Sequence, residues 1–405
     1  MSAPNDAGGA NHYGFQLPEE LVLLREQIRR FMREEVKPIE DKLPHDATGC
    51  SAEDRAYLKG LAERMGLTRL TVPEEFGGNP VSAMARVVIA EESAKCRLGA
   101  YAPALGAFGG GPPNIIWGGT SAQIEKYGIP CVDGRKRAFV AITEPTGGSD
   151  PRNNISTRAT KKGDRWLLNG RKMWITGAAG ADFGIIFART SDADAGKPPG
   201  ITAFIVEPGF PGISFNEIGV IRALSPYEIV LEDCEVPEEN VLGEVGRGFG
   251  VAQTWLVDAR IPYAAGCIGI AQEALDMACG WVKQRPTRDG MLSDKQAMQW
   301  MIADSEVELR AARMLVYDAA SKVDQGLSGK VDASICKLYG TETAGRVVDR
   351  AIQMFGGMGV AKEMPLERWY RELRVKRIGE GPSEVHRMVI ARDKLRNTDG
   401  GVYFG

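Results

Sequence analysis

Apolar positions along the chain change their spacing twice, from helical to strand-like and back to helical. Between residues 18 and 123, leucine, isoleucine and phenylalanine recur every three or four positions with charged residues between them. This is the pattern of helices that bury one face. Pro18 suits a first helical turn, and Pro38 is expected to end the first helix. Ser51 and Ser82 are predicted to cap the helices that follow them.

From residue 137 to about residue 242 the apolar runs are short and bounded by turn residues, which predicts a small β-domain. The predicted strands cover residues 156–161, 165–168, 171–176, 183–188, 201–206 and 228–231. Gly163-Asp164 and Asn169-Gly170 are expected to be the turns between the first three. Asn-Gly between two apolar runs favours a hairpin, because both residues accept positive φ.

Beyond residue 248 long helical stretches return, and the predicted helices cover residues 251–284, 294–325, 330–354 and 385–395. The order helix, strand, helix predicts an α+β multidomain fold with three parts. These are a helical N-terminal domain of residues 17–136, a barrel- or sandwich-like middle β-domain of residues 137–245 and a helical C-terminal domain of residues 246–405. Residues 1–16 are expected to form a flexible tail.

The length of 405 residues exceeds what one hydrophobic core usually serves, so two or three domains are expected. Lys and Arg number 50 against 53 Asp and Glu, which gives no basic excess for a nucleic-acid partner and no polybasic tail for a membrane. No apolar run reaches the length of a spanning helix, and the start of the chain lacks an apolar signal segment. We therefore expect a cytoplasmic protein.

The chain offers few residues for metal or nucleophilic chemistry. Seven scattered cysteines form no C-x-x-C pair, and only three histidines occur. This favours a reducing compartment and argues against a disulfide framework, a zinc site or a Ser-His-Asp triad. The glycine-rich segment 246–250 lacks the spacing of a dinucleotide-binding turn, which argues against a nicotinamide site. No metal is expected.

One carboxylate near the C-terminus has unusual neighbours. Glu380 lies between Gly379 and Gly381, which have no side chain to crowd a ligand and tolerate unusual backbone angles. A basic helix-like segment precedes it and an apolar, helix-forming run follows. A lone Glu-Gly would more simply be a solvated surface loop, but other segments of the chain point to the same site.

Three further motifs occur in the chain: Thr143-Glu144-Pro145 with Gly148-Ser149-Asp150, Asn169-Gly170 with Lys172 and Trp174-Ile175-Thr176, and Gln353 with Gly356-Gly357 and Gly359. Together with the Glu380 loop, in this order and at this spacing, they resemble the acyl-CoA dehydrogenase family from about residue 17 to the end. The resemblance implies a C-terminal four-helix bundle and tetramers built as pairs of dimers. It also implies FAD in a cleft between the β-domain and the C-terminal helices, partly covered by a second subunit.

The resemblance also implies how FAD is held. Trp174 is expected against the isoalloxazine ring, with Thr143 and Thr176 hydrogen-bonded to its polar edge, since short hydroxyls can donate or accept. Trp166, in contrast, is expected in the core. Arg285 is expected to reach the pyrophosphate of a neighbouring subunit's FAD, because bidentate donors suit phosphate. A simple role at the helix end is the alternative for Arg285.

The remaining implied contacts concern the adenosine half of FAD and the substrate. The residues matched to the adenosine side are Gln353, Gly356, Gly357 and Glu384. Ser149 is matched to the pyrophosphate or to CoA, with a plain turn residue as an equal alternative. Arg260, Gly379 and Gly381 are the residues expected at the substrate.

Glu380 is the implied base. It would take the α-proton of an acyl-CoA thioester while FAD accepts the β-hydride, which gives the trans-2-enoyl-CoA, and electrons would pass to an electron-transferring flavoprotein. In one subgroup the base immediately precedes the position of Arg260, but here that residue is Ala259. Asp258 is one residue away, about a third of a helical turn off that face. Burial beside the ligand should raise the pKa of Glu380.

The chain departs from the family pattern at three places. Gly379 stands where a Tyr is frequent, Pro382 replaces a Thr, and Arg288-Asp289 replaces an aromatic-glycine pair. Pro382 therefore removes one expected flavin contact, and Arg288-Asp289 alters the contact between subunits. Two alternatives stay open: an acyl-CoA oxidase or other flavin and oxygen enzyme on the same fold, and a non-catalytic binding relative. An intact Glu380 counts against a monooxygenase but not against an oxidase.

Overall fold

The computed structural model describes residues 16–109, 111–178, 180–193, 199–327 and 329–398, without the side chains of residues 151–152 and 251–258. The predicted tail, apart from its last residue, lies outside the described residues. The N-terminal helices are α1 (Glu19–Phe31), α2 (Lys37–Glu40), α3 (Ala52–Arg64), α4 (Ala83–Ser93), α5 (Ser121–Gln123) and α6 (Ile129–Val132). Ser51 accepts a bond from the N–H of Asp54 at 3.0 Å and Ser82 from that of Ala85 at 3.1 Å. Both predicted caps are confirmed.

The prediction that Pro38 ends the first helix is wrong. After α1 the chain stays helical through a π-helical turn, Met32–Val36, and continues as α2 to Glu40. Pro38 lies in the first turn of α2, directly after the π-helical turn, and the wider spacing of that turn accommodates the proline ring within a continuous helix. The buried carboxylate of Glu40 accepts a bond from the backbone N–H of Arg97 at 2.6 Å, which joins the end of this continuous helix to the loop after α4.

The middle part is one twisted sheet. Its strands are β1 (Ala138–Ala141), β2 (Arg158–Lys162), β3 (Arg165–Ile175), β4 (Phe183–Ser191), β5 (Gly200–Val206), β6 (Ile213–Glu217), β7 (Tyr227–Pro237) and β8 (Val241–Leu242), with a short helix α7 (Pro151–Asn154) before β2. The strand order is β6-β7-β3-β2-β4-β5-β8, and β1 pairs in parallel with β4. Apolar side chains pack on both faces, and Ile116 and Tyr127 of the helical region cover one of them.

The predicted hairpin at Asn169-Gly170 is wrong. Strand β3 runs through both residues, and the turn between β2 and β3 is at Gly163-Asp164 alone. Register with β7 shifts between Leu168 and Gly170, and the Asn169 side chain donates to the carboxylate of Asp233 at 2.9 Å. A Cβ on Gly170 would lie 2.5 Å from Oγ1 of Thr157, so glycine serves close strand packing here rather than a turn.

The C-terminal helices are α8 (Gly248–Gln284), α9 (Gln296–Asp324), α10 (Lys330–Phe355), α11 (Leu366–Lys376) and α12 (Ser383–Arg396), with a small hairpin of β9 (Pro286–Thr287) and β10 (Gly290–Met291). Helix α10 contacts the other four. At the end of α9, the carboxylate of Asp324 accepts bonds from the N–H groups of Ala83 at 2.6 Å and Met84 at 3.1 Å, and so caps α4. The N-terminal and C-terminal helices therefore share one core.

The predicted fold class, with helical regions on either side of a middle sheet, is confirmed. Trp166 is buried against Phe204, so its assignment to the core is also confirmed. Among the helices of the described ranges, none combines the length and hydropathy needed to cross a membrane.

Candidate active site

Glu380 lies in the short loop that joins α11 to α12, and its backbone is strained. Its φ is 57°, and that of Gly381 is 95°. A glutamate in this left-handed region is uncommon and costs about 1–3 kcal/mol, so it persists only where the surroundings hold the loop firmly.

Three side chains from three helices hold this loop through its carbonyl groups. Arg260 on α8 donates from Nε to the Glu380 carbonyl at 3.1 Å, and Nε2 of His386 on α12 lies 3.3 Å from the same oxygen. Lys337 on α10 donates from Nζ to the Gly381 carbonyl at 2.6 Å and to the Arg377 carbonyl at 3.2 Å. These contacts fix the backbone of the loop, and none of them involves the Glu380 carboxyl group.

The Glu380 carboxyl has no protein partner for one of its oxygens. Its Oε2 is buried and makes no hydrogen bond to any described residue. Burial raises the pKa of Glu380, while the positive charges of Arg260, Lys376 and Lys337 act in the opposite direction without cancelling that rise. A buried acceptor without a partner is unfavourable unless a ligand or a proton satisfies it. The arrangement therefore suits a group that takes up a proton.

Thr143, in the loop after β1, lies beside the end of β3 that carries Trp174. The N–H of Met173 in β3 donates to the Thr143 carbonyl at 2.8 Å, which joins the loop after β1 to this strand. Trp174 has a φ of 65°, and its side chain is 53% exposed, unusual for a large aromatic residue. Thr176, just beyond the end of β3, is exposed as well. The structure thus presents an open aromatic face with hydroxyl groups near it.

A buried ion pair beneath this face was missed by the sequence analysis. Nζ of Lys172 lies 2.6 Å from Oε1 of Glu144, and both side chains are fully buried. The Glu144 carboxylate also accepts bonds from the N–H groups of Ser156 at 2.7 Å and Thr157 at 3.0 Å. Lys172 and these donors hold the pKa of Glu144 down at about 2 against the effect of burial. The sequence did carry one hint of this pair, because Glu144 and Lys172 are the charged residues next to Thr143 and Trp174 in their two motifs.

Arg285 and the glycine-rich loop after α10 lie at one end of the C-terminal bundle. The rings of Trp281 and Phe355 stack at 4.9 Å, and the guanidinium of Arg285 lies 5.7 Å from the Trp281 ring centre. Gln353 and the adjacent glycines Gly356 and Gly357 are exposed. Arg285 forms no ion pair with another described residue. An exposed guanidinium beside an open glycine loop fits a phosphate and an adenosine.

The other predicted site residues are placed as follows. Ser149 is exposed in the turn before α7, and Glu384 is exposed in the first turn of α12. Arg260 contacts the backbone of Glu380, so its observed position is behind the loop, and a direct role at the substrate stays a prediction. A Cβ on Gly379 would lie 3.4 Å from the Tyr263 hydroxyl. The side chain of Asp258 lies outside the described residues.

A polar contact anchors the loop between β6 and β7 to α11, the helix that leads to Glu380. Nε of Arg222 lies 3.1 Å from Oε2 of the buried Glu372, whose other oxygen accepts a bond from the N–H of Ala223 at 3.1 Å. Arg371 donates to the Ile221 carbonyl at 2.7 Å. The sequence offered no signal for this contact, since it joins residues about 150 positions apart.

Comparison with known proteins gives three family matches along the chain. The acyl-CoA dehydrogenase N-terminal domain matches residues 18–135, the middle domain residues 139–234 and the C-terminal domain residues 246–395.

Individual relatives match over most of their length. The chain is 37% identical to a 3-(aryl)acrylate reductase of Clostridium sporogenes, over 93% of this chain and 99% of the relative. It is 38% identical to the CarC subunit of the caffeyl-CoA reductase–Etf complex of Acetobacterium woodii, over 81% and 86%. The solved butyryl-CoA dehydrogenase of Megasphaera elsdenii superposes with a TM-score of 0.80 at 33% identity, over 95% of this chain and all of the other.

Proposed function

Because the chain belongs to the acyl-CoA dehydrogenase family, whose members depend on FAD, we propose that Glu380 is the base in its α,β-dehydrogenation of an acyl-CoA thioester. The observation that carries the proposal is the buried Oε2 of Glu380, which lacks a protein partner in a strained, firmly held loop. A general base needs a free acceptor with a raised pKa, and this carboxyl has both.

In the proposed reaction, Glu380 takes the proton from the carbon next to the thioester carbonyl. Arg260, Lys337 and His386 hold its backbone in place, so little reorganisation is needed as the proton moves. The raised pKa of Glu380 makes the proton transfer more favourable near neutral pH. Bound FAD supplies the acceptor for the hydride that leaves the β-carbon, and the product is the trans-2-enoyl-CoA.

Two groups of residues fit FAD, one at its flavin ring and the other at its adenosine diphosphate half. The exposed Trp174, with the Thr143 and Thr176 hydroxyls, would hold the flavin ring, and Ser149 would lie toward the pyrophosphate. The residues that would hold the adenosine diphosphate half are Arg285, Gln353, Gly356, Gly357 and Glu384. In our proposal Arg285 and the loop of Gln353, Gly356 and Gly357 serve the FAD of a neighbouring subunit, because they lie together at one end of the bundle, whereas Glu384 lies near the Glu380 loop.

We infer that the protein is a homo-oligomer, as a dimer of dimers. Helix α9 supports this with three exposed apolar side chains, Trp300, Val307 and Met314, at intervals of seven residues and therefore on one face. An apolar stripe of this kind is unusual on a monomer surface. A cytoplasmic location stays a prediction.

Replacing Arg285 by alanine should weaken FAD binding more than it weakens folding. A charge-assisted hydrogen bond contributes about 1.5–3 kcal/mol, so the Kd for FAD should rise about 10- to 100-fold. Titration of the apoprotein with FAD measures this, and light scattering after gel filtration reports the assembly. Lys283→Ala, an exposed position in the last turn of α8, is the matched control. A fully flavin-loaded monomer, or an unchanged Kd, would contradict the assignment.

Gly379 in place of a bulky aromatic residue should leave room beside the α and β carbons. We therefore expect branched, cyclic or aryl-substituted acyl-CoA substrates to be accepted at least as well as straight chains. Anaerobic bleaching of the flavin by a panel of thioesters measures this preference and tests the proposed reaction at the same time. A clear preference for unbranched C4 to C8 chains would reject this prediction.

Gly379→Tyr provides the matched variant for that panel. Gly379 is not among the residues with positive φ, and a Cβ there meets the Tyr263 hydroxyl only at ordinary contact distance. The ring of the new tyrosine should exclude substituted substrates and spare straight chains. Equal rates with both kinds of substrate in Gly379→Tyr would show that this position does not shape the pocket.

An electron-transferring flavoprotein is the electron acceptor we infer. The CarC relative is named as part of an Etf complex, which supports this inference.

Both relatives above are named as reductases. Reduction of an enoyl-CoA at the same site is therefore the second candidate function, with Glu380 returning the α-proton. Reduced enzyme mixed anaerobically with enoyl-CoA tests that direction, and reoxidation by air tests the oxidase alternative.

A further inference from the structure

A buried lysine bridges the two ends of the loop that carries Glu380. We propose that Lys337 is a positioning residue for the base, which clamps the loop and whose charge helps to keep the Glu380 carboxyl ionised. The proposal rests on the proposed role of Glu380 and adds a residue to which the sequence motifs give no part.

The geometry of the clamp is direct. Lys337 is fully buried on α10, and its ammonium donates to the carbonyl groups of Arg377 and Gly381, one on each side of Glu380. The Gly381 carbonyl at 2.6 Å is a short, charge-assisted contact. Both bonds go to backbone atoms, so they fix where the loop lies without occupying the carboxyl itself.

A neutral donor could make the same two hydrogen bonds at less cost. Taking an ammonium out of water is unfavourable by several kcal/mol, even after the protein relaxes around it. That cost is reflected in the pKa of Lys337, which burial lowers to about 8. The presence of a cation where an amide would suffice indicates that the charge has a use. Glu380, whose Oε2 has no partner among the described residues, is one of the two carboxylates that act on Lys337, and the other, Glu342, is already paired with Arg377.

Charged and titratable groups approach Glu380 from every helix around it. They are Arg260 and Tyr263 on α8, Lys337 on α10, Lys376 on α11 and His386 on α12. His386 is neutral at working pH, because burial and the nearby cations lower its pKa to about 4. Three cations therefore oppose the effect of burial on Glu380, and removing one of them should raise its pKa further.

Three substitutions of Lys337 separate position from charge. Lys337→Arg keeps both a donor and the charge, Lys337→Gln keeps a donor alone, and Lys337→Met keeps neither. Lys330→Met, an exposed site at the start of α10, is the control for a lost charge on the same helix.

The pH dependence of anaerobic flavin reduction by substrate is the first measurement. The base must be ionised to act, so the rate rises as pH increases through the pKa of Glu380. Loss of a nearby cation raises that pKa, and the acid limb should move to higher pH by about one unit in Lys337→Gln and Lys337→Met. It should stay in place in Lys337→Arg and Lys330→Met. In Lys337→Met the plateau rate should fall as well, because the loop is no longer clamped.

Two further readouts do not depend on activity. Amide exchange of the loop from Arg377 to Gly381 should be faster in Lys337→Met than in Lys337→Gln. The pKa of Lys337 is about 8 when folded and near 10.5 when unfolded, so the folded state binds fewer protons between these values and gains stability as pH rises from 8 to 10.5. Part of that gain should vanish in Lys337→Met, while the part due to buried Lys172 should remain.

An acid limb that keeps its wild-type position in both Lys337→Gln and Lys337→Met would overturn the proposal and leave Lys337 a purely structural residue. If Lys337→Met does not fold, Lys337→Gln and Lys337→Arg still decide the question. The failure of Glu380 as base would show differently: Glu380→Gln would then reduce flavin at the wild-type rate, whatever the Lys337 variants do.

Discussion

Replacing Glu380 by glutamine should slow flavin reduction by substrate about 10²–10⁴-fold, the usual effect of removing a general base. Glutamine keeps the size and much of the hydrogen-bonding capacity of the side chain but cannot accept the proton. Stopped-flow absorbance under anaerobic conditions measures the effect, and FAD content should stay near that of the wild type. Asp258→Asn should have a much smaller effect, and Glu363→Gln, an exposed carboxylate between α10 and α11, serves as the control.

The stability of Glu380→Gln should be at least that of the wild type at pH 7. Because the pKa of Glu380 is raised on folding, the folded state binds more protons than the unfolded state between the two pKa values. Ionising the carboxyl in that range lowers the stability of the wild type, and glutamine removes the penalty. If Glu380→Gln reduces flavin at a near wild-type rate, then the base must be Asp258 or another carboxylate.

Replacing Lys172 by methionine should destabilise the protein by about 3–5 kcal/mol, because it leaves the Glu144 carboxylate buried without its cation. Urea unfolding at pH 7 measures the loss. The control is the exposed pair of Lys161 on β2 and Glu238 just after β7, where Lys161→Met should change stability by no more than about 1 kcal/mol.

The double variant Lys172→Met with Glu144→Gln tests the cause of that loss. It removes the unpaired charge, so it should recover much of the stability that the single change loses. Acid should act in the same direction on Lys172→Met, since protonation of Glu144 relieves the penalty. In the wild type the sign is opposite: stability is lost as pH falls from the ordinary pKa of a glutamate toward about 2. No recovery in the double variant would mean that Lys172 acts through packing alone.

The order of the three parts could be predicted from the sequence, because hydrophobic periodicity is a local property. The turn at Asn169-Gly170 was mispredicted, since cross-strand contacts with Asp233 and Thr157 override the local preference of Asn-Gly. The end of the first helix was mispredicted at Pro38 because a π-helical turn accommodates the ring.

The motifs pointed to Glu380, Trp174 and Thr143, but of the side chains that hold them they pointed only to Arg260, for which a different role was predicted. Lys337 lies 43 residues before Glu380 in the chain, and its contact depends on how α10 packs beside the loop. Glu144 and Lys172 belong to separate motifs whose pairing needs the fold of the sheet. Supporting contacts of this kind are long-range, and a single sequence carries no direct record of them.

The contact of Arg222 and Ala223 with Glu372 means that changes in a remote loop can affect the position of Glu380. The exposed Trp174 belongs to the sheet and Glu380 to a loop of the C-terminal helices, and the loop around Arg222 contacts α11, the helix that leads to Glu380. If the acyl group binds between them, we expect selection for a bulkier acyl group to have two routes. One reshapes the wall of the pocket, and the other widens the gap by lengthening this remote loop, which leaves every reacting group unchanged.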